Sequence, residues 1–166
     1  LAVAEVVKAV FKEIEKINPW RDFVFPKNDL LIASCITFSM FVIYLLWPCR
    51  MFFFDGIMFA SEAAGHPRAW ANHLGYCYYG YAFWKLLKWI GIERDGYSAL
   101  QIMNSFLSSL TVGMFFLFVK KITEKTYIAI IFSLLLAFSY IFWWRSCDAY
   151  DVPPKMPLLL LSIMLM

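Results

Sequence analysis

Residues 30–47 read LLIASCITFSMFVIYLLW and contain no charged side chain. An uncharged apolar helix of about 18–20 residues covers the hydrocarbon core of a bilayer, so this stretch predicts a membrane-spanning helix. Similar stretches near residues 99–119 and 127–144 predict two more spans, and residues 156–166 predict a truncated fourth. The predicted fold is therefore an all-α, polytopic bundle of transmembrane helices.

The composition excludes most other classes of protein. Of the 166 residues, 62% are hydrophobic and 16% are charged, against roughly 45–50% and about 25% in soluble domains. So apolar a chain is neither an ordinary soluble domain nor disordered. The net charge of +3 is small and predicts the lipid bilayer, not nucleic acid, as a partner. Because the chain starts at Leu1 and stops inside an apolar run, we expect an amino-terminal fragment of a longer protein.

Basic residues predict the orientation. Residues 1–28 form a predicted cytoplasmic segment, in which residues 3–17 carry apolar side chains at helical spacing beside a stripe of lysines. A helix on the membrane surface and a helix packed on the protein both fit this pattern. Further lysines lie between the second and third spans, and the positive-inside rule then puts the amino end in the cytoplasm. The bounds of the remaining transmembrane domain are residues 29–166.

Residues 49–96 must then stay on the outer side. The segment 76–90 is rich in aromatic residues and carries Lys85 and Lys88. Such a helix suits the headgroup layer, with its rings at the interface and its lysines near phosphates. We therefore predict interfacial amphipathic helices in the first outer loop, although 76–90 is also long enough to be considered as a crossing.

Carboxylates at the outer ends of the spans are candidates for chemistry. Asp55 directly follows an apolar run, where the bilayer ends, and Glu62 lies on the same face of a helix two turns later. Such a carboxylate can take a proton from an acceptor hydroxyl, or hold a divalent cation that neutralises a phosphate leaving group. A helix cap or a solvated loop residue explains Asp55 equally simply.

A second acidic arm, with Asp148 and Asp151, follows the third span on the same side. We predict that this arm faces Asp55 across a site for a charged, lipid-borne substrate. Basic and aromatic residues would bind the phosphate and the sugar rings of that substrate. The candidates are Arg68, Trp84 and Lys85. In a simpler interpretation, Arg145 only neutralises Asp148.

Histidines and cysteines give weaker patterns. His66 and His73 lie near Asp55 and Glu62, but their spacing matches no compact zinc motif. The four cysteines form no CxxC pair, and a disulfide is open only to the three on the outer side. These are Cys49, Cys77 and Cys147.

The order of short motifs resembles the amino-terminal part of the GT-C superfamily of polytopic membrane glycosyltransferases, which includes protein O-mannosyltransferases and aminoarabinose transferases. The resemblance covers about residues 30–166 and is closest to bacterial members. Its motifs are FFDGIMFA at 53–60, HLGY at 73–76, FWKLL at 83–87, NSFLSSL at 104–110, KK at 120–121, and WW at 143–144 before CDAY at 147–150. Where the family often has a second acid beside the first, this chain has Gly56.

The resemblance implies a function and a set of site residues. A sugar would pass from a polyprenyl-phosphate-linked donor to an acceptor on the outer face of a bacterial inner membrane. The catalytic residue would be Asp55, His73 and Tyr76 would contact substrate, and Asp148 would bind substrate. The residue pattern itself adds Glu62 and Lys85 to the predicted substrate contacts. A divalent cation, if used, would take Asp55 and Asp148 as ligands. A transporter or channel subunit and a non-catalytic membrane scaffold are the alternatives, but the charge-free spans and the acids at their outer ends favour interfacial chemistry.

Overall fold

The computed structural model describes Glu5, residues 25–48, residues 54–65, Pro67 and residues 75–165. Within these ranges the structure is all-α, as predicted, and contains seven helices. They are α1 (Lys27–Leu46), α2 (Phe54–Ala64), α3 (Tyr76–Trp89), α4 (Gly96–Thr123), α5 (Thr126–Phe138), α6 (Tyr140–Ser146) and α7 (Lys155–Leu165). Five predicted features lie outside the described residues: the helix over 3–17, apart from Glu5, and Cys49, His66, Arg68 and His73.

Two helices in the described part of the chain, α1 and α4, are long and apolar enough to cross a membrane. At a rise of 1.5 Å per residue, α1 is about 30 Å long and α4 about 42 Å. Helix α4 begins where the Asp95 side chain accepts a hydrogen bond of 2.9 Å from the Ser98 backbone N–H. It ends at Glu124, whose left-handed backbone (φ 58°) stops the helix.

The third predicted span differs from the prediction. Residues 127–144 do not form one straight helix, because α5 and α6 meet at a bend of 67° at Ser139. The Ser139 backbone is extended, and both its N–H and its hydroxyl donate to the Leu136 carbonyl. These bonds satisfy a carbonyl that the interrupted helix leaves without its usual partner. Counted as one span, the bent pair brings the candidate spans to three.

Helix α4 is central to the described structure and contacts each of the six other helices. Two glycines allow neighbouring backbones to approach it closely. A Cβ atom on Gly113 would lie 2.0 Å from Thr37 Oγ1 and 3.0 Å from the Ala33 carbonyl oxygen of α1. A Cβ atom on Gly96 would lie 2.2 Å from the Ala60 carbonyl oxygen of α2. Only a residue without a side chain fits at either crossing.

The first predicted outer loop contains α2 and α3, both of which pack on α4. Helix α3 has 14 residues and is therefore about 21 Å long, shorter than the roughly 30 Å hydrocarbon core. Its length does not suit a crossing, and its place at the membrane interface remains a prediction. Helix α7, with 11 residues, is a shorter apolar helix within the predicted fourth span.

Candidate functional site

A short loop between α6 and α7, residues 147–151, carries the second group of acids and is called the acidic loop below. Both of its carboxylates are buried, with Asp148 0% and Asp151 3% exposed. Asp151 forms an ion pair with Lys155 in the first turn of α7. The structure therefore removes from solvent two acids that the sequence predicts to lie at an open interface.

Asp148 has an unusual set of partners. Its Oδ1 atom accepts a hydrogen bond of 2.6 Å from the Tyr97 hydroxyl and one of 2.7 Å from the Ala149 N–H. Its Oδ2 atom is buried and has no hydrogen-bond partner within the described ranges. Buried carboxylate oxygens are costly unless they are paired, so this oxygen is a candidate ligand atom.

Asn104, in the middle of α4, holds the acidic loop in place. Its Nδ2 atom donates to the carbonyl oxygens of Asp148 (2.6 Å) and Tyr150 (2.7 Å), and contacts the Tyr76 hydroxyl at 3.1 Å. Because both carbonyls only accept hydrogen bonds, they fix which end of the amide faces the loop. The Asn104 Oδ1 atom is left buried and without a partner in the described part of the structure.

Tyr76, a predicted substrate contact, begins α3 and is buried (2% exposed). Its ring packs edge to face on Phe59 of α2, with the ring centroids 5.1 Å apart. Burial raises the pKa of Tyr76 well above its ordinary value; the Asn104 hydrogen bond opposes this rise, and the charges of Asp151 and Asp148 add to it. In this arrangement the Tyr76 hydroxyl is part of the internal polar cluster.

Asp55 is the second residue of α2 and is exposed. The next residue, Gly56, is buried against the acidic loop: a Cβ atom there would lie 3.0 Å from the Ala149 carbonyl oxygen and 3.2 Å from the Tyr97 ring. The start of α2 therefore lies directly against the residue that follows Asp148. Two segments almost a hundred residues apart in sequence meet at this contact.

Glu62 is half-buried in α2 and faces α3. Burial, with a hydrogen bond to the Glu62 carboxylate and the charge of that carboxylate, raises the pKa of the Cys77 thiol to about 12. The pair thus joins α2 and α3. A role for Glu62 in substrate binding stays a prediction.

Lys85 is exposed on α3, beside aromatic rings. Its ammonium lies 5.4 Å from the centroid of the Tyr81 ring and 5.9 Å from that of Trp84. Lys88 lies closer, 4.0 Å from the Trp84 ring. The Trp84 indole N–H donates to the Arg94 carbonyl oxygen at 3.0 Å, which fixes the ring. These contacts make α3 a cationic and aromatic surface.

Arg145 does not neutralise Asp148. Its guanidinium carbon lies 3.8 Å from the centroid of the Tyr150 ring and 4.7 Å from that of Trp144. Of the two acids of the loop, the one that forms an ion pair is Asp151, with Lys155. Ring contacts on the guanidinium replace the predicted salt bridge.

The described residues contain no group of three or more histidine, cysteine, aspartate or glutamate side chains that could hold a metal ion. Cys77 and Cys147 are free thiols, so the structure forms no disulfide between these two of the three candidates.

Sequence reasoning missed Tyr97 and Asn104, the two residues that organise Asp148. An asparagine inside a predicted span points to such a role, because a polar amide in an apolar segment needs a hydrogen-bond partner. Tyr97 gives no comparable pattern, since tyrosine is common at the ends of spans.

Comparison of the chain with protein-family models, curated proteins and solved structures found no match. The resemblance to GT-C glycosyltransferases therefore rests on the short motifs alone.

Proposed function

We propose that this chain belongs to an integral-membrane glycosyltransferase that moves a sugar from a polyprenyl-phosphate-linked donor to an acceptor at the outer membrane face. In this proposal the chain is the amino-terminal part of a GT-C-like enzyme of a bacterial inner membrane, with its amino end in the cytoplasm. The two or three candidate membrane spans suit such a protein.

The observation that carries the proposal is the contact between Gly56 and Ala149. It brings the start of α2, which bears the exposed Asp55, against the loop that bears the buried Asp148. A site of this reaction class needs an acid that exchanges protons with an acceptor, near groups that stabilise the charge of a phosphate leaving group. An exposed carboxylate beside a rigid, hydrogen-bonded loop supports that arrangement.

The chemistry assigned to Asp55 is that of a general base. It takes the proton of the acceptor hydroxyl while the hydroxyl oxygen forms a bond to the anomeric carbon of the sugar. The bond from that carbon to the phosphate oxygen breaks, and the polyprenyl phosphate leaves with the electron pair. Attack opposite the leaving group inverts the anomeric centre.

A divalent cation would supply positive charge to the phosphate leaving group. Asp148 fits this role because its unpartnered Oδ2 atom is the hard oxygen ligand that magnesium and manganese prefer. Asp55 would then be the second carboxylate ligand, as an alternative to its role as the general base. Substrate contacts are assigned to Glu62, His73 and Lys85, the last on the aromatic surface of α3, whereas the buried Tyr76 hydroxyl stays within the internal cluster.

The test is transfer of radiolabelled sugar from a polyprenyl phosphate by the full-length protein in membranes. Asp55→Asn removes the base but keeps the shape, so we expect transfer to fall by about 100-fold or more. Glu93→Gln, a matched change at an exposed acid before α4, should leave transfer unchanged. Full transfer by Asp55→Asn with normal membrane insertion would refute the assignment.

A transporter is the second candidate, and the 67° bend at Ser139 favours it. Broken helices line substrate paths in many transporters. The same protein in sealed vesicles would separate the two functions: uptake of a solute without sugar transfer supports transport, and sugar transfer without uptake supports the enzyme.

A further inference from the structure

The guanidinium of Arg145 lies beside two aromatic rings. Tyr150 and Trp144 both lie within cation–π distance of it, and α6 fixes its backbone one residue before the helix ends. Cation–π contacts give the guanidinium N–H groups no oxygen acceptor, so these donors remain for one. Within the described part of the chain, no carboxylate forms an ion pair with Arg145.

Arg145 also lines a small cavity of about 160 Å³ between the α5–α6 bend, α4 and the loop before α7. Ser139 and Ser146 contribute to the wall, but their hydroxyls already donate to the Leu136 and Phe142 carbonyl oxygens. The Ser108 hydroxyl also lines the cavity, and the remaining lining residues are apolar, so Arg145 supplies the positive charge of this cavity. Its volume is that of about five liquid waters, enough for one tetrahedral anion but too little for a sugar ring beside it.

We propose that Arg145 binds a phosphate group in this cavity. A planar guanidinium donates two parallel hydrogen bonds to two oxygens of one phosphate, and the adjacent rings of Tyr150 and Trp144 limit its movement. A phosphate is the tetrahedral anion that every bilayer presents at the depth where spans end. The inference rests on the proposed function for its choice of lipid: the phosphate is that of the polyprenyl donor.

This site differs from the cationic surface of α3. Lys85 is exposed and sits on a helix surface, where an ammonium attracts headgroups without a fixed geometry. Arg145 is half-buried, in contact with two aromatic rings and next to the acidic loop. Its position, three residues before Asp148, puts a bound phosphate close to the loop that the proposed chemistry uses.

The experiment measures binding and needs no catalysis. The full-length protein, purified in a non-phosphate detergent, is titrated with a polyprenyl monophosphate, and the bound lipid is counted by native mass spectrometry. We expect Arg145→Gln to weaken binding by about 10- to 100-fold, the loss of one charge-assisted pair. Arg94→Gln, at an exposed arginine before α4, is the matched control and should bind as the wild type does.

Arg145→Lys keeps the charge but loses the planar fork, and it covers the case in which the glutamine variant fails to fold. We expect it to bind about 3- to 10-fold more weakly than wild type. Wild-type affinity in a folded Arg145→Gln or Arg145→Lys variant overturns the proposal. Inorganic phosphate is the second probe: if it displaces the lipid at an equal concentration, the site accepts free phosphate, and if it does not, the lipid is the ligand.

The outcome is separate from that of the glycosyltransferase proposal. Lipid binding that depends on Arg145, without any sugar transfer, supports this site and counts against the enzyme. Sugar transfer with Arg145-independent lipid binding supports the enzyme and refutes this site.

Discussion

The Tyr97 hydroxyl donates a hydrogen bond of 2.6 Å to Oδ1 of Asp148, 51 residues further along the chain. Tyr97 lies in the first turn of α4, and Asp148 lies in the acidic loop, so the bond ties the start of the central helix to that loop. Asn104 lies seven residues further along α4 and holds the Asp148 backbone. Together, the two contacts give the buried acid a fixed position. Four predictions follow from this cluster and from the packing around it.

Tyr97→Phe removes the donor and leaves Oδ1 of Asp148 with the Ala149 N–H alone. A hydrogen bond to a charged group is worth about 1.5–3 kcal/mol, so we expect the free energy of unfolding to fall by that amount. In a chain of this size the melting temperature drops by about 2–4 °C per kcal/mol. Thermal unfolding in detergent measures it, with Tyr127→Phe, at an exposed ring, as the control. Equal stability of the two variants would show that the bond contributes nothing.

Asn104→Asp replaces a donor by an acceptor. The new carboxylate faces the Asp148 and Tyr150 carbonyl oxygens, which in the wild type lie 2.6 and 2.7 Å from the Asn104 amide nitrogen. An unpaired charge in this buried position should cost about 3–5 kcal/mol. Release of the acidic loop from α4 should make the loop more accessible to protease. We therefore expect faster cleavage of this loop in detergent micelles. Asn28→Asp, an exposed change in the first turn of α1, should leave both stability and cleavage unaltered.

Gly113→Ala puts a methyl group 2.0 Å from Thr37 Oγ1. The helices must separate, and overpacking of this kind costs about 1–3 kcal/mol. The double variant with Thr37→Ala removes the closest atom and should recover part of the loss, although the Ala33 carbonyl oxygen remains 3.0 Å away. Unfolding of the two single variants and of the double variant measures the coupling. Additive effects would contradict the predicted clash.

Stability should fall at alkaline pH because the folded state holds the protons of Cys77 and Tyr76 more tightly than the unfolded chain does. The Cys77 thiol has a pKa of 9.0 when unperturbed and about 12 in the fold, and that of Tyr76 is raised well above 10.0. Both groups contribute a constant amount below about pH 9, and this contribution is lost as the pH rises towards the folded pKa values. Each group adds a slope of up to about 1.4 kcal/mol per pH unit.

Unfolding in denaturant from about pH 8 to about pH 11 measures this slope. Cys77→Ala should flatten the curve between about pH 9 and pH 10, where the unfolded tyrosine is still mostly protonated. Cys35→Ala, at an exposed thiol, is the control and should keep the wild-type slope. A Cys77→Ala curve as steep as that of the wild type would refute the assignment.

The length of the uncharged apolar stretches predicted the two long helices well. A helix that crosses a bilayer is recognised by this feature alone, and α1 and α4 both have it. The predicted spans 30–47 and 99–119 lie within a few residues of α1 and α4. The ends differ because local capping decides them: α4 starts at Asp95, where Ser98 supplies the capping hydrogen bonds. Hydropathy does not record such contacts.

The bend at Ser139 and the hydrogen-bond partners of Asp148 could not be predicted from the sequence. The hydroxyl of a serine in an apolar helix usually donates to a backbone carbonyl of the preceding turn, as that of Ser133 does to Ala129. The local sequence around Ser139 does not distinguish it from such a serine. The spacing of Arg145 and Asp148 suggested an ion pair, but the Arg145 guanidinium instead makes a cation–π contact with the Tyr150 ring. Contacts between α4 and the acidic loop span more than forty residues, so no short pattern could reveal them.

The close approach at Gly113 also determines which parts of this molecule can move. Thr37 and the Ala33 carbonyl fill the space that any side chain would need, so α1 and α4 cannot slide or roll past one another without a steric clash. They form a rigid frame, so slower collective motions must come from elements that pack on it less closely. Helix α2 belongs to the same frame, because a Cβ atom on Gly96 would lie 2.2 Å from the Ala60 carbonyl oxygen. The eleven residues of α2 are therefore anchored to α4, and Gly56 keeps its place against Ala149.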